Sequence, residues 1–378
     1  MRRTLVLINN TGIGGAERRL GYIFTRMAEQ NAGTTLTINA GLWAKLVSAG
    51  LVSGNEERVW RLPEPCLSLA ERVGLREGKF AFWLRKLDYL LFSGVLLGRY
   101  ALAPRRLFHF VLGGAYVGLP LMLLRPDHRA VVSVVSNDLR LMVGPAWALP
   151  VYRLALARCH LIDALTEGVR ADLIQKGIST DKILVSTGSV ANLDRFRPSL
   201  KKEPWVVFAG RLVEEKNPLL FIDAVPAILR EAPEARIFLL GEGPLGTAVG
   251  QALDRLGLRD AVETGFRPDS APILGQARVF VSLQRQDNYP SQSLLEAMAS
   301  GAVPVATDVG LTWKLVDETT GIRVKPDPEQ IANAVIGLLK DSERCERLGR
   351  AARQRVEELH SEGRYRAHLD QLYARMEG

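Results

Sequence analysis

Apolar residues along this chain recur in two spacings that alternate. Leu5 to Ile8 is a short unbroken apolar run, the mark of a buried strand. It leads into the loop TGIGGAER, after which Leu20, Ile23, Phe24 and Met27 recur at helical spacing. The same order returns at residue 205, where WVVFA predicts a strand, GRLVEEKN a loop and Pro218 the first turn of a helix carrying Phe221, Val225 and Ile228. Further strands are expected at Arg236 to Leu240, Arg278 to Leu283 and Val303 to Ala306, with helical stretches between them. Strands that alternate with helices in this way build parallel sheets covered on both faces.

Two segments need a closer look. Leu107 to Leu124 holds no formally charged side chain over 18 residues, the lower limit for a membrane span. It contains His109, three glycines and Pro120, and a strand signal in Val131 to Val135 follows, so it reads as a buried strand and then a helix. Near the end, Asp327-Pro328-Glu329-Gln330 begins a predicted helix with Ile331, Ala334, Val335, Leu338 and Leu339 on one face. The polar, Pro-bearing run NLDRFRPSLKKEP divides the chain. The expected organisation is α/β: a Rossmann-like domain over 1–196, a linker over 197–204, a second such domain over 205–355 and a closing helix over 356–378.

Composition narrows the class. Hydrophobic residues at 47% and charged residues at 24% suit a globular chain long enough for two cores. The three cysteines, Cys66, Cys159 and Cys345, are too scattered for a disulfide framework or zinc knuckle, which fits a reducing cytoplasm. The five histidines have no metal-ligand spacing, and no metal site is expected. The first apolar run is too short for a signal-peptide core.

Charge is uneven. Residues 1–196 carry 25 Lys and Arg against 15 Asp and Glu, while the remainder carries 24 against 26. Residues 72–129 hold ten basic and three acidic residues among many aromatic and aliphatic ones. Two readings stand side by side: a surface suited to an anionic membrane, or a core helix with solvated Arg and Lys on its outer face. No nucleic-acid-binding motif accompanies the charge.

The densest chemistry lies in DNYPSQSLLEAMASG, residues 287–301. Pro290 and Ser291 predict a turn and an N-cap, with Leu294, Leu295 and Met298 on the apolar side of the helix that follows. Glu296 then sits about one turn inside, where free backbone N–H groups attract phosphate and a carboxylate can accept bonds from sugar hydroxyls. Arg211 and Lys216, in the loop that starts at Gly210, offer a planar donor fork and a movable point charge to a diphosphate. Gly241-Glu242-Gly243 and Gly265-Phe266-Arg267 follow strands of the same sheet, and Gly14 and Gly15 precede the first helix; such loops serve a ligand or a plain turn equally well.

Taken in order, GGAERRL, TEGVRADLIQKGI, LDRFRP, GRLVEEKNP, LLGEGP, TGFRP, LLEAMASGAVPVATDVG and DQLYARM give a resemblance that spans nearly the whole chain. The sequence resembles the retaining glycosyltransferases of family 4 (group 1 glycosyltransferases). That resemblance implies the GT-B fold, two facing Rossmann-like domains with an inter-domain cleft, the first on the acceptor side and the second binding a UDP- or GDP-sugar. By likeness Arg211 and Lys216 match the diphosphate-binding pair, Glu296 the ribose-binding glutamate, and the Leu294-Leu295 backbone the segment beside the phosphates. Gly15 matches a loop near the donor, and the segments around Glu242 and Arg267 match loops beside the base.

Two positions depart from the family pattern. Asn288 stands where a second glutamate usually faces the transferred sugar, and Asn137 with Asp138 stands where a His-Asp pair is common. The resemblance implies a metal-independent transfer to a saccharide or lipid-linked acceptor in bacterial surface polysaccharide or glycolipid synthesis, with no cofactor. It places the protein in the cytoplasm or at the inner face of the plasma membrane. The two departures motivate an alternative, a non-catalytic nucleotide-sugar-binding partner or regulatory subunit.

Overall fold

The computed structural model describes residues 1–8, 15–53, 57–66, 79–111, 113–135, 149–186 and 189–377. The chain divides into two compact units, Met1–Ser186 together with Ala367–Gly378, and Thr187–Arg366.

In the first unit the strands β1 (Arg2–Leu7), β2 (Thr34–Asn39), β3 (Val59–Leu62), β4 (Arg106–Val111), β5 (Arg129–Val134), β6 (Leu161–Ala164) and β7 (Ile183–Val185) form one parallel sheet. Their order is β3-β2-β1-β4-β5-β6-β7, a doubly wound arrangement that reverses direction between β1 and β4. Alternation along the strands supplies both faces: Val6, Phe108 and Phe110 pack under the helices Lys79–Tyr100 and Gly114–Leu124, whereas His109 points to the other face and meets Phe24. The uncharged stretch Leu107–Leu124 is thus β4 and the helix after it.

On that second face the unit holds a buried polar chain. His109 shares hydrogen bonds with Tyr373 (Nδ1 to the hydroxyl, 2.7 Å) and with Ser133 (Nε2 to Oγ, 2.8 Å). Ser133 donates to Asp163 at 2.7 Å, and Asp163 meets His368 at 2.8 Å. Tyr373 and His368 come from the last helix, Glu362–Glu377, so this chain ties the C-terminus to the middle of the sheet.

The second unit repeats the plan with β8 (Glu203–Ala209), β9 (Arg236–Leu240), β10 (Val262–Gly265), β11 (Ala277–Ser282), β12 (Val303–Thr307) and β13 (Ile322–Val324). All pairs are parallel, in the order β10-β9-β8-β11-β12-β13, and the reversal falls between β8 and β11. Val206 and Phe208 face a core with Phe221, Val225 and Ile228, while Val207 faces Phe280, Leu295 and Met298. Each such side chain removes about 1.5–3 kcal/mol worth of apolar surface from water. The helix expected to begin at Asp327-Pro328 is Pro328–Lys340, and Asp327 caps it, its carboxylate accepting from the Gln330 N–H at 2.8 Å.

Two boundaries differ from the expectation. The first unit ends at Ser186 rather than 196, and the segment expected as a linker is packed into the second unit. Phe196 is buried there, the Ser199 N–H donates to Gly275, and the Lys202 ammonium bonds the carbonyls of Ala277 (3.0 Å) and Ser300 (2.6 Å). Charge and proline mark this stretch as linker-like, but its stems find specific acceptors. The closing helix does not begin at 356: Ser342–His360 and Glu362–Glu377 are separate helices that break at Ser361.

Candidate functional site

In doubly wound sheets ligands bind outside the carboxyl ends of the strands, at the point where strand order reverses. In the second unit that point lies between the loop after β8, Gly210–Asn217, and the loop after β11, Leu283–Ser291.

The first loop is shaped by its own backbone. Lys216 ends a single 3-10 turn, Glu214–Lys216, and Asn217 takes the left-handed conformation (φ 54°) that lets Pro218 start the helix Pro218–Glu231. Arg285 fixes this loop from across the reversal point: its N–H donates to the Glu215 carbonyl at 3.0 Å, and its guanidinium pairs with Glu214 at 3.0 Å. Arg211 is exposed and Lys216 half-buried, with the Lys216 stem 4.0 Å from where a Cβ on Gly210 would lie. Neither Arg211 nor Lys216 has a carboxylate within ion-pair distance among the described residues. Burial, and then the charge of Arg211, push the Lys216 ammonium down to about 8, while Glu215 pulls the other way. Two cations that feel each other's charge, with no carboxylate at ion-pair distance among the described residues, form a receptor for an anion.

The glycine loops lie against this one. Gly241 (φ 149°) donates to the Gly265 carbonyl and Gly210 donates to that of Leu240, so the loops after β8, β9 and β10 are laced together. A Cβ on Gly241 would stand 1.9 Å from the Gly210 oxygen, which explains glycine here. Glu242 and Gly243 are exposed, with the Glu242 carbonyl accepting from Leu212. Phe266 is 57% exposed, a large apolar surface beside these loops. Arg267 is engaged by Glu263 at 2.9 Å.

The second loop leads into the helix Gln292–Ala299. Ser291 occupies the N-cap position, as its type predicts, but its hydroxyl lies 3.5 Å from that of Ser293 and does not cap the helix. Leu294 and Leu295 are buried, anchoring the helix in the core. Glu296 is only 6% exposed, and Gln292 donates to it at 3.2 Å. The same amide group of Gln292 also donates to the Val190 carbonyl at 3.0 Å, while its oxygen accepts from Ser189 at 2.5 Å. His360 in turn holds the Ser189 carbonyl at 2.8 Å. Asn288 is exposed, its amide donating to Gln284 at 3.3 Å, and the neighbouring Asp287 accepts from the N–H groups of Tyr289 and Leu311.

Gly15 opens the helix Gly15–Gln30 in the first unit and is exposed. Gly14, Asn137 and Asp138 lie outside the described residues. Sequence reasoning missed Gln292 and Arg285. The first was legible, since it stands one helical turn before Glu296. The second had no signal, because its partners Glu214 and Glu215 come from a distant loop.

Residues 203–341, the sheet and helices that carry these loops, match the family described as glycosyl transferases group 1. The chain is 32% identical over 208 residues to the alpha-D-kanosaminyltransferase of Streptomyces kanamyceticus, covering 53% of this chain and 48% of that protein. It is 25% identical over 233 residues to a GDP-mannose-dependent alpha-(1-6)-phosphatidylinositol monomannoside mannosyltransferase of Mycobacterium tuberculosis, covering 59% of this chain and 60% of that protein. The matched regions thus span about half the length of these relatives. The fold resembles that of Anabaena HepE in complex with UDP and glucose, with a TM-score of 0.76, 16% identity, and coverage of 99% of this chain and 100% of that one. The likeness establishes the GT-B fold, two Rossmann-like units in one chain. The matched region, residues 203–341, contains Arg211, Lys216 and Glu296.

Proposed function

We propose that this protein is a retaining glycosyltransferase of family 4 that moves a sugar from a UDP- or GDP-sugar to a saccharide or lipid-linked acceptor, without a protein-bound metal. The observation that carries the reading is the pair of cations Arg211 and Lys216, without a carboxylate at ion-pair distance among the described residues, at the strand-order reversal whose other side bears the buried Glu296. A diphosphate suits the first group and the hydroxyls of a ribose suit the second. Solved and curated relatives point the same way, since HepE was crystallised with UDP and glucose and the mycobacterial relative is named for GDP-mannose and phosphatidylinositol monomannoside. Phe266 and the backbone at Glu242 and Gly243 would border the base, and the Leu294-Leu295 backbone the phosphates.

In the step we infer, the bond between the sugar's anomeric carbon and the diphosphate oxygen breaks while a bond to the acceptor oxygen forms on the same face. The acceptor's proton passes to the departing phosphate oxygen. Arg211, Lys216 and the first turn of Gln292–Ala299 stabilise the charge that builds on the diphosphate. No protein base is essential, so an amide at Asn288 is compatible with turnover. Unit 1 would hold the acceptor. A lipid-linked acceptor would place the reaction at the inner face of a membrane, in surface polysaccharide or glycolipid assembly.

The test is release of nucleoside diphosphate from a panel of UDP- and GDP-sugars with saccharide and lipid-linked acceptors. Release from one donor, lost on Lys216→Ala while folding persists, supports the reading. Asn288 favours a second reading, a non-catalytic nucleotide-sugar-binding partner; tight nucleotide binding with no release from any donor would select it.

A further inference from the structure

From Leu87 onward, helix Lys79–Tyr100 carries apolar side chains on both its inner and its outer side. Its inner side is accounted for, with Phe92, Leu96 and Tyr100 buried in the core of unit 1 and the buried Asp88 accepting from the Cys66 N–H at 3.1 Å. A helix on the surface of a globular protein turns charged and polar side chains outward. This one turns out Leu87 (48% exposed), Leu90 (68%), Leu91 (48%) and Val95 (42%). Gly94 and Gly98 fall in the same stripe, and a Cβ built on either would meet nothing within 4 Å, so among the described residues none fills the space over these two positions. The helix Gly114–Leu124, which packs against helix Lys79–Tyr100, also leaves Leu123 and Leu124 exposed. A row of large exposed apolar side chains along one helix face marks an interaction site.

Charge identifies the occupant. The C-terminal end of the helix lies beside a basic edge of the sheet: Arg106, whose guanidinium is depressed by burial, also feels the charges of Arg2 and Arg99. Next to it, Arg105, Arg129 and Lys182 act together on His160. Asp127 is engaged by Arg125 at 2.7 Å, so it does little to offset this field. A second copy of the chain seated on the stripe would bring two such basic edges together. A bilayer with anionic headgroups satisfies both halves of the surface, and among the described residues no helix is long and apolar enough to cross it.

We propose that the outward face of helix Lys79–Tyr100, with Leu123 and Leu124, docks unit 1 on the surface of an anionic lipid bilayer. The leucines enter the boundary between headgroups and acyl chains, and the arginines at the end of the helix meet the headgroup charge. The docking rests on the lipid-linked acceptor reading only for its use; no residue of 203–341 takes part, so binding to lipid and sugar transfer are read separately.

The experiment is co-sedimentation of the full chain with vesicles of phosphatidylcholine alone or mixed with phosphatidylglycerol, at low and high salt, without nucleotide. The expected result is binding to the anionic vesicles that weakens as salt rises. Leu90→Glu/Leu91→Glu should reduce it by about tenfold or more, and Arg2→Glu/Arg105→Glu should remove most of its salt sensitivity, while UDP or GDP binding and the melting curve stay as in the parent protein. Equal binding to neutral vesicles, no binding to either, or full binding by the leucine variant would overturn the proposal. A dimer that the leucine variant converts to monomer, without vesicle binding, would instead make the stripe a contact between copies.

Discussion

Gln292 donates from Nε2 to the Oε1 atom of Glu296 across 3.2 Å, one helical turn apart. Because the same amide is held by Ser189 and Val190, the orientation of the Glu296 carboxylate depends on a segment a hundred residues earlier in the chain. Gln292→Leu keeps the volume and removes the donor. We expect unfolding in urea to show a loss of about 1–2 kcal/mol, and the dissociation constant for the preferred nucleotide to rise by about threefold to tenfold. Gln292→Glu should be worse than Gln292→Leu, since two carboxylates would face each other one turn apart.

Lys216 gives a pH dependence with a defined sign. Its folded-state value near 8 lies below the usual value of 10.5, so the unfolded chain holds the proton over that interval. The ligand-free protein therefore gains stability from this group as pH rises from about 8 towards 10.5, and below 8 the cost of the buried charge is fully present. Nucleotide affinity should move the opposite way, falling as pH climbs through 8 and the ammonium is lost. Isothermal titration with the wild type and with Lys216→Arg, which stays charged, checks this: the alkaline fall should vanish in the arginine variant.

Gly241 is the point where the three glycine loops are laced. Alanine there would meet the Gly210 oxygen at 1.9 Å and would have to hold a φ of 149°. Gly241→Ala should cost about 2–4 kcal/mol in a urea titration. Because the displaced carbonyl is next to Arg211, nucleotide binding should weaken as well. Gly246→Ala, at the start of the following helix with nothing within 4 Å of the new methyl, is the control expected to stay near wild type.

The buried chain through His109 makes unit 1 sensitive to acid. Burial pushes His109 down to about 4, against the pull of Asp163, so the imidazole is neutral when folded at neutral pH. The unfolded chain takes up the proton near 6.5, and the folded state loses stability as pH falls from about 6.5 to 4. Ser133→Ala removes the hydroxyl that joins His109 to Asp163 and should cost about 1–3 kcal/mol. Hydrogen exchange in helix Glu362–Glu377 checks the location, since Tyr373 and His368 close the two ends of the chain.

How much of this was legible beforehand varies with the range of the interaction. The strands at Arg236 and Val303 and the helices that begin at Pro218 and after Asp327 depend on near neighbours and appear in the structure where the pattern places them. The stretch 197–204 misled, because composition reports polarity and not whether a lysine stem such as that of Lys202 finds carbonyls to bond. Ser291 was expected to cap its helix; its position held, while its hydroxyl turned to Ser293.

By itself the sequence determined the α/β order, the apolar faces that fold two parallel sheets, and the residue types at the candidate site, because periodicity and local capping act over a few residues. Only the tertiary structure decided that Arg285 braces the loop of Lys216, that Gln292 orients Glu296, and that helix Lys79–Tyr100 leaves an apolar stripe uncovered. Those relations join segments far apart in the chain, and strand order in the sheet, which no local pattern encodes, is what brings them together.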